Sequence, residues 1–203
     1  MNRSTLRFAA ILFAGCCLAA GFAFANSHDK DNAKTAAAPA APDMEMMMKL
    51  AAPGPQHEVL KQYVGEWKTT TKMYTGPGEP TVAQGATEFQ MVLGDRYLEE
   101  RATGTFGDMP FEGRGITGYD NAKKAYVFSW IDNMGTGLMT GTGSYDAAKK
   151  VMTFKVSGTG PDGKPATYRS TIAWVDASTC VYTMYLDVKG KEQKMMETTY
   201  IRS

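Results

Sequence analysis

Tyr126-Val127-Phe128-Ser129-Trp130-Ile131 decides the fold. Tyr126, Phe128 and Trp130 fall on one face of an extended chain and Val127, Ser129 and Ile131 on the other, the period of two expected of a half-buried strand. The same rhythm returns downstream, where Tyr168, Ser170, Ile172 and Trp174 alternate with Arg169, Thr171, Ala173 and Val175. Working outward from these two runs, the spacing predicts strands over 66–75, 81–93, 96–106, 109–119, 125–133, 137–145, 151–158, 166–175, 179–188 and 192–202. Gly, Pro, Asp and Asn mark the gaps between them. No gap has room for a crossover helix, so sequence neighbours should pair antiparallel. Ten short strands in a row would leave two raw sheet edges. Closure removes both, whereas a two-sheet sandwich needs longer Greek-key connections. The expected fold is therefore all-β, a roughly ten-stranded antiparallel up-and-down barrel. One turn recurs after 26 residues: Tyr119-Asp120-Asn121-Ala122-Lys123-Lys124 against Tyr145-Asp146-Ala147-Ala148-Lys149-Lys150. It reads as two equivalent hairpins, with Asp capping the turn.

Ahead of the strands, 55–64 carries Val59, Leu60, Tyr63 and Val64 at helical spacing, with Pro55 suited to the first turn and Gly65 to the stop. This is the short N-terminal helix, and it opens a barrel domain placed at 54–203. Residues 26–53 are polar and then Ala-, Pro- and Met-rich, and read as a disordered tether. Within it, Met44-Glu45-Met46-Met47-Met48 offers soft thioethers of the kind that hold Cu(I); a helical turn or plain linker accounts for the same residues. Residues 1–25 read as a signal peptide: Arg3 and Arg7, an uncharged stretch from Phe8 to Ala20, then Ala23-Phe24-Ala25 as a cleavage site. That places the mature chain in the periplasm or outside the cell. The alternative is a lipid anchor on Cys16, since Phe13-Ala14-Gly15-Cys16 approximates a lipobox.

Composition narrows function by exclusion. The 203 residues carry 22 Lys and Arg against 21 Asp and Glu, and removal of 1–25 takes two arginines and no acid. So balanced a chain lacks the basic surplus of a nucleic-acid binder, and its one apolar stretch is short for a membrane helix. After cleavage a single cysteine, Cys180, is left, too few for an internal disulfide, in a run that favours a buried inert thiol.

Gly65-Glu66-Trp67, opening the first strand after a short helix, resembles the Gly-x-Trp signature of lipocalin-like barrels. In those proteins an Arg near the chain end lies across the Trp, which implies barrel closure by Trp67 and Arg202. More closely, the chain resembles the bacterial family known as domain of unknown function 1579. The stretches that carry the likeness are Tyr63-Val64-Gly65-Glu66-Trp67, Leu93-Gly94-Asp95-Arg96-Tyr97-Leu98-Glu99, Phe111-Glu112-Gly113-Arg114-Gly115, Gly118-Tyr119-Asp120 and Trp130-Ile131-Asp132-Asn133-Met134. The resemblance spans essentially all of 54–203. It implies a lipocalin-like barrel and brings no established activity.

Chemistry is sparse. The only histidines are His28 in the tether and His57 in the helix, the latter read as a surface residue. No metal site, cofactor or Ser–His pair is expected in the strands. The glycine-rich run 135–143 lacks the Lys-Ser or Lys-Thr and the following helix of a phosphate loop, and reads as a hairpin. A polar set beside aromatics is left: Glu99, Arg101, Glu112, Arg114, Asp132, Thr136 and Thr140. The charges among Glu99, Arg101, Glu112 and Arg114 suit an outer face. If Trp130 points inward so does Asp132, and the candidate ligand-binding residues are Trp130, Asp132, Arg114, Tyr97 and Tyr126. The leading functional reading is a barrel holding a small, partly apolar molecule. The alternatives are an envelope interaction module with a filled interior, and an enzyme using cavity carboxylates; no motif identifies a catalytic residue.

Overall fold

The computed structural model describes residues 43–203. The expected signal peptide with its cleavage site, Cys16, His28 and the expected tether up to residue 42 lie outside the described residues. Two helices, α1 (Met44–Ala51) and α2 (Pro55–Lys61), precede ten strands: β1 (Gly65–Met73), β2 (Thr81–Val92), β3 (Tyr97–Phe106), β4 (Met109–Asp120), β5 (Ala125–Asp132), β6 (Met139–Asp146), β7 (Val151–Thr159), β8 (Pro165–Trp174), β9 (Thr179–Val188) and β10 (Lys191–Arg202). The strands form a closed antiparallel barrel in which each pairs with its sequence neighbours and β1 closes on β10. Each strand boundary lies within two residues of the sequence expectation, because Gly, Pro and Asp turns punctuate so clearly.

The last stretch assigned to the tether, residues 44–51, is helical. Asp43 caps α1, accepting hydrogen bonds from the Glu45 and Met46 amides, and all its residues are exposed. Its end is fastened to the barrel: Asn121 Nδ2 donates to the carbonyls of Leu50 (2.8 Å) and Ala52 (2.9 Å), and Arg96 Nε to that of Ala51 (2.9 Å). A helix fastened to the barrel thus stands some ten residues ahead of the expected domain start.

Closure follows the resemblance. Trp67 and Arg202 are register partners on β1 and β10, and the guanidinium carbon lies 4.2 Å from the indole centroid. Arg202 also donates from Nη1 to Val64 O (2.7 Å) and from Nη2 to Gln62 O (2.8 Å), while Trp67 Nε1 donates to Tyr63 O (2.8 Å). One arginine therefore clasps the last strand, the first strand and the residues after α2. Cation–π attraction contributes about 0.5–2 kcal/mol, and the two charge-assisted bonds satisfy carbonyls left over by the ending helix.

α2 and the turn after it plug this end of the barrel with Leu60 and Tyr63, both fully buried, beside Trp67 and Trp174. Val64, expected on the buried stripe, is exposed, since the chain has left the helix by that point. His57 is a correction in the other direction: it is buried, 3 % exposed. It lies three residues before Leu60 and so shares its face, where Nδ1 accepts from the Gly54 amide at 2.9 Å and the ring meets Tyr119 edge-on. The two recurrent turns are alike in detail. Asp120 accepts from the amides of Ala122 and Lys123, Asp146 from those of Ala148 and Lys149, and Lys124 and Lys150 both take positive φ.

Candidate functional site

Opposite the plug the barrel is hollow. A cavity of about 350 Å³ runs through its interior. Strand alternation sets the wall. On β5 Phe128, Trp130 and Asp132 face in; on β3 Leu98, Glu100 and Ala102; on β4 Phe111, Gly115 and Thr117. Gly113 and Gly115 are small for a reason: Gly115 is the register partner of Trp130, whose indole crosses where a Gly113 side chain would stand and crowds the place of one at Gly115. Two glycines of the glycine-rich run are explained likewise, since Gly141 of β6 lies under the ring of Phe128 and Gly143 under that of Phe154. Methionines crowd the end away from α2, where Met73, Met134, Met139, Met184 and Met196 line the void. Met134 is 49 % exposed while lining it, so the cavity reaches the surface there. The unbranched, polarizable thioether adapts to varied shapes.

The structure separates the five candidate residues. Trp130 and Asp132 line the cavity together, with Trp130 Nε1 donating to Asp132 Oδ2 at 2.9 Å and the Met134 amide to Oδ1 at 3.0 Å. Asp132 therefore both caps its turn and stands at the mouth. Arg114 is out of phase: it sits between inward Gly113 and Gly115, and pairs on the outer face with Glu112 (3.3 Å). Tyr97 is also outside, its ring lying over Gly118, its register partner. Tyr126 is buried but at the plugged end, donating from its hydroxyl to Gln56 O at 3.0 Å; there burial raises its pKa to about 12. Glu99 and Arg101 form an outward pair at 2.9 Å, with Gln90 also donating to Glu99. Glu99, Glu112 and Asp132 consequently share no site.

The interior carboxyl is one that sequence reading passed over. Glu100 extends between its register partners Phe89 of β2 and Gly115 of β4. Tyr200 of β10 donates to its Oε1 at 3.3 Å, a contact that only the barrel interior permits, since β1 and β2 stand between β3 and β10. Loss of water raises the Glu100 pKa to about 7. The usable signal was phase: Leu98, Glu100 and Ala102 share one face of β3, and Leu98 belongs to the core. Cys180, fully buried, has its thiol pushed up to about 12 by burial, which leaves it unreactive.

Among the described residues no three His, Cys, Asp or Glu side chains converge as a metal-binding group, and no helix is long and apolar enough to cross a membrane. No curated protein matches the chain. Among solved structures, Rv2717c from M. tuberculosis shares the fold, with a TM-score of 0.55 and 14 % identity over 75 % of this chain and 99 % of that one. Weaker likenesses are to designed barrels. One is the redesigned β barrel mFAP1 bound to DFHBI, at 16 % identity, a TM-score of 0.39, and coverage of 71 % of this chain and 98 % of that one. A family model matches residues 52–202, nearly the whole described chain, and the protein thus belongs to the family described as protein of unknown function (DUF1579).

Proposed function

We propose that the chain, once exported, binds one small and mostly apolar molecule inside its barrel. The observation that carries this reading is the cavity of about 350 Å³, walled by aromatic rings and thioethers, plugged at one end and reaching the surface at the other. Small-molecule sites commonly span about 300–1,000 Å³ with a few placed polar groups among apolar ones. Glu100 and Asp132 supply such groups here. An interior left empty forgoes dispersion contacts that packed side chains would make, so a void of this size is better explained by an occupant than by structure alone.

The test is a fluorescence titration of the full mature chain with the neutral probe N-phenyl-1-naphthylamine. The expected result is saturable, one-to-one enhancement. Ala83 and Ala102 line the cavity on β2 and β3, so the double variant Ala83→Leu/Ala102→Leu narrows it and should abolish the enhancement while the far-ultraviolet circular dichroism stays that of a β-barrel. No enhancement in the wild type, or equal enhancement in the narrowed variant, overturns the reading.

A further inference from the structure

We propose that the occupant is a cationic amine, an apolar body bearing one protonated nitrogen that docks against Glu100. This inference rests on interior binding as proposed above and names the class of ligand.

Charge inside the cavity carries it. Among the described residues that line the wall, two are acidic, Glu100 and Asp132, and none is Lys, Arg or His. The basic residues nearest in sequence are turned away. Arg101 and Arg114 pair with Glu99 and Glu112 outside. On β10 the register shifts between Lys194 and Met196. The extra residue, Met195, lets Met196 enter the cavity while Lys194 stays outside and pairs with Glu197 at 2.7 Å. A bulge re-aims side chains in this way.

Among the described residues Glu100 therefore has no cation of its own. Its polar neighbour is the Tyr200 hydroxyl, and the other groups that feel its charge, Tyr182 and Cys180 on β9, are uncharged proton donors. A buried carboxyl that lacks a counter-ion is costly to ionise. An incoming ammonium converts it into a paired one, and the desolvation of the acid has already been met in folding. An anionic head meets the opposite situation, a second negative charge beside the first in a low-dielectric pocket. Ser170 also lines the wall, and among the described residues its fully buried hydroxyl makes no hydrogen bond of good geometry, the Tyr182 phenol being the polar group beside it. This is a further polar group that the fold leaves unsatisfied. At the mouth, Asp132 is held by Trp130 and the Met134 amide; its charge favours the approach of cations over anions.

The experiment is competition against bound N-phenyl-1-naphthylamine by three ligands of equal chain length, octylamine, octan-1-ol and octanoate, on the full mature chain. At a pH of about 8 the amine is protonated and Glu100 lies above its pKa of about 7. Octylamine is expected to displace the probe at a concentration roughly tenfold or more below the other two, which is the scale of a single charge-assisted contact. Glu100→Gln should remove that advantage, bringing octylamine level with octan-1-ol, and Asp132→Asn should preserve most of it. Octanoate or octan-1-ol matching octylamine on the wild type overturns the inference, and that comparison does not depend on any variant folding. An advantage that survives Glu100→Gln but vanishes in Asp132→Asn also overturns it. If the probe and octan-1-ol bind inside without preference for the amine, interior binding stands and the ligand class falls. If the probe does not bind, both fall.

Discussion

Glu100 couples the interior to the stability of the whole chain. Burial lifts its pKa from the ordinary 4.5 to about 7. Between those values the folded protein holds a proton that the unfolded chain has released, so stability falls as pH rises through this window. The contribution is complete below the unfolded value and lost above the folded one. A shift of this size corresponds to an effect on the order of 3 kcal/mol. Urea unfolding between about pH 4.5 and 8 should show that decline in the wild type, and a nearly flat profile in Glu100→Gln. A flat wild-type profile would mean that Glu100 is solvated. Gly65 tests the other end of the barrel. Its φ is +131°, closed to side-chain-bearing residues, and an added Cβ would stand 3.0 Å from Arg202 Nη1. Gly65→Ala should therefore cost about 1–3 kcal/mol through strain, read as a lower urea midpoint with an unchanged slope.

The helix α2 acts as a stopper, and its key side chain is Leu60, 1 % exposed. Leu60→Ala should cost about 2–5 kcal/mol, measurable by thermal or urea unfolding; a loss below 1 kcal/mol would mean that the plugged end repacks easily. Elements of this kind were legible in the sequence because their borders are chemical: Asp turns, glycines and a proline at the helix start. Phase within a strand was legible only where one face is plainly apolar, as on β5 and β8. It failed on β4, where the inward face reads Phe111, Gly113, Gly115, Thr117 and the outward one Glu112, Arg114, Ile116. The glycines face inward because the ring of Trp130, from the next strand, needs their space. A residue that yields room to a neighbour carries no hydrophobic mark of its own, so Arg114 was offered for the cavity as well as for the outer face, where it lies. The same blindness hid Glu100, since a wall that borders a cavity need not be uniformly apolar. His57 was misread for a simpler reason: a polar residue on a short helix was taken as solvated although it shares the buried face of Leu60.

At the scale of the molecule, nine of the ten strand pairings join sequence neighbours and one does not. Hairpins close short loops and form early, whereas pairing β1 with β10 closes a ring of well over a hundred residues and must bear the larger loop entropy. The meander can assemble hairpin by hairpin, with the Asp120 and Asp146 turns fixing local register, before its two ends meet. The clasp of Arg202 on Trp67, Val64 and Gln62 belongs to that late event. Arg202→Ala removes the cation–π contact and two charge-assisted bonds, and an equilibrium loss of about 2–4 kcal/mol is expected. Its kinetic signature is the sharper test. Contacts absent from the transition state change unfolding and leave folding alone, so the unfolding limb of the chevron should rise at least tenfold while the folding limb stays within about twofold of wild type. A slowed folding limb would show that the ends meet first and that closure nucleates the barrel.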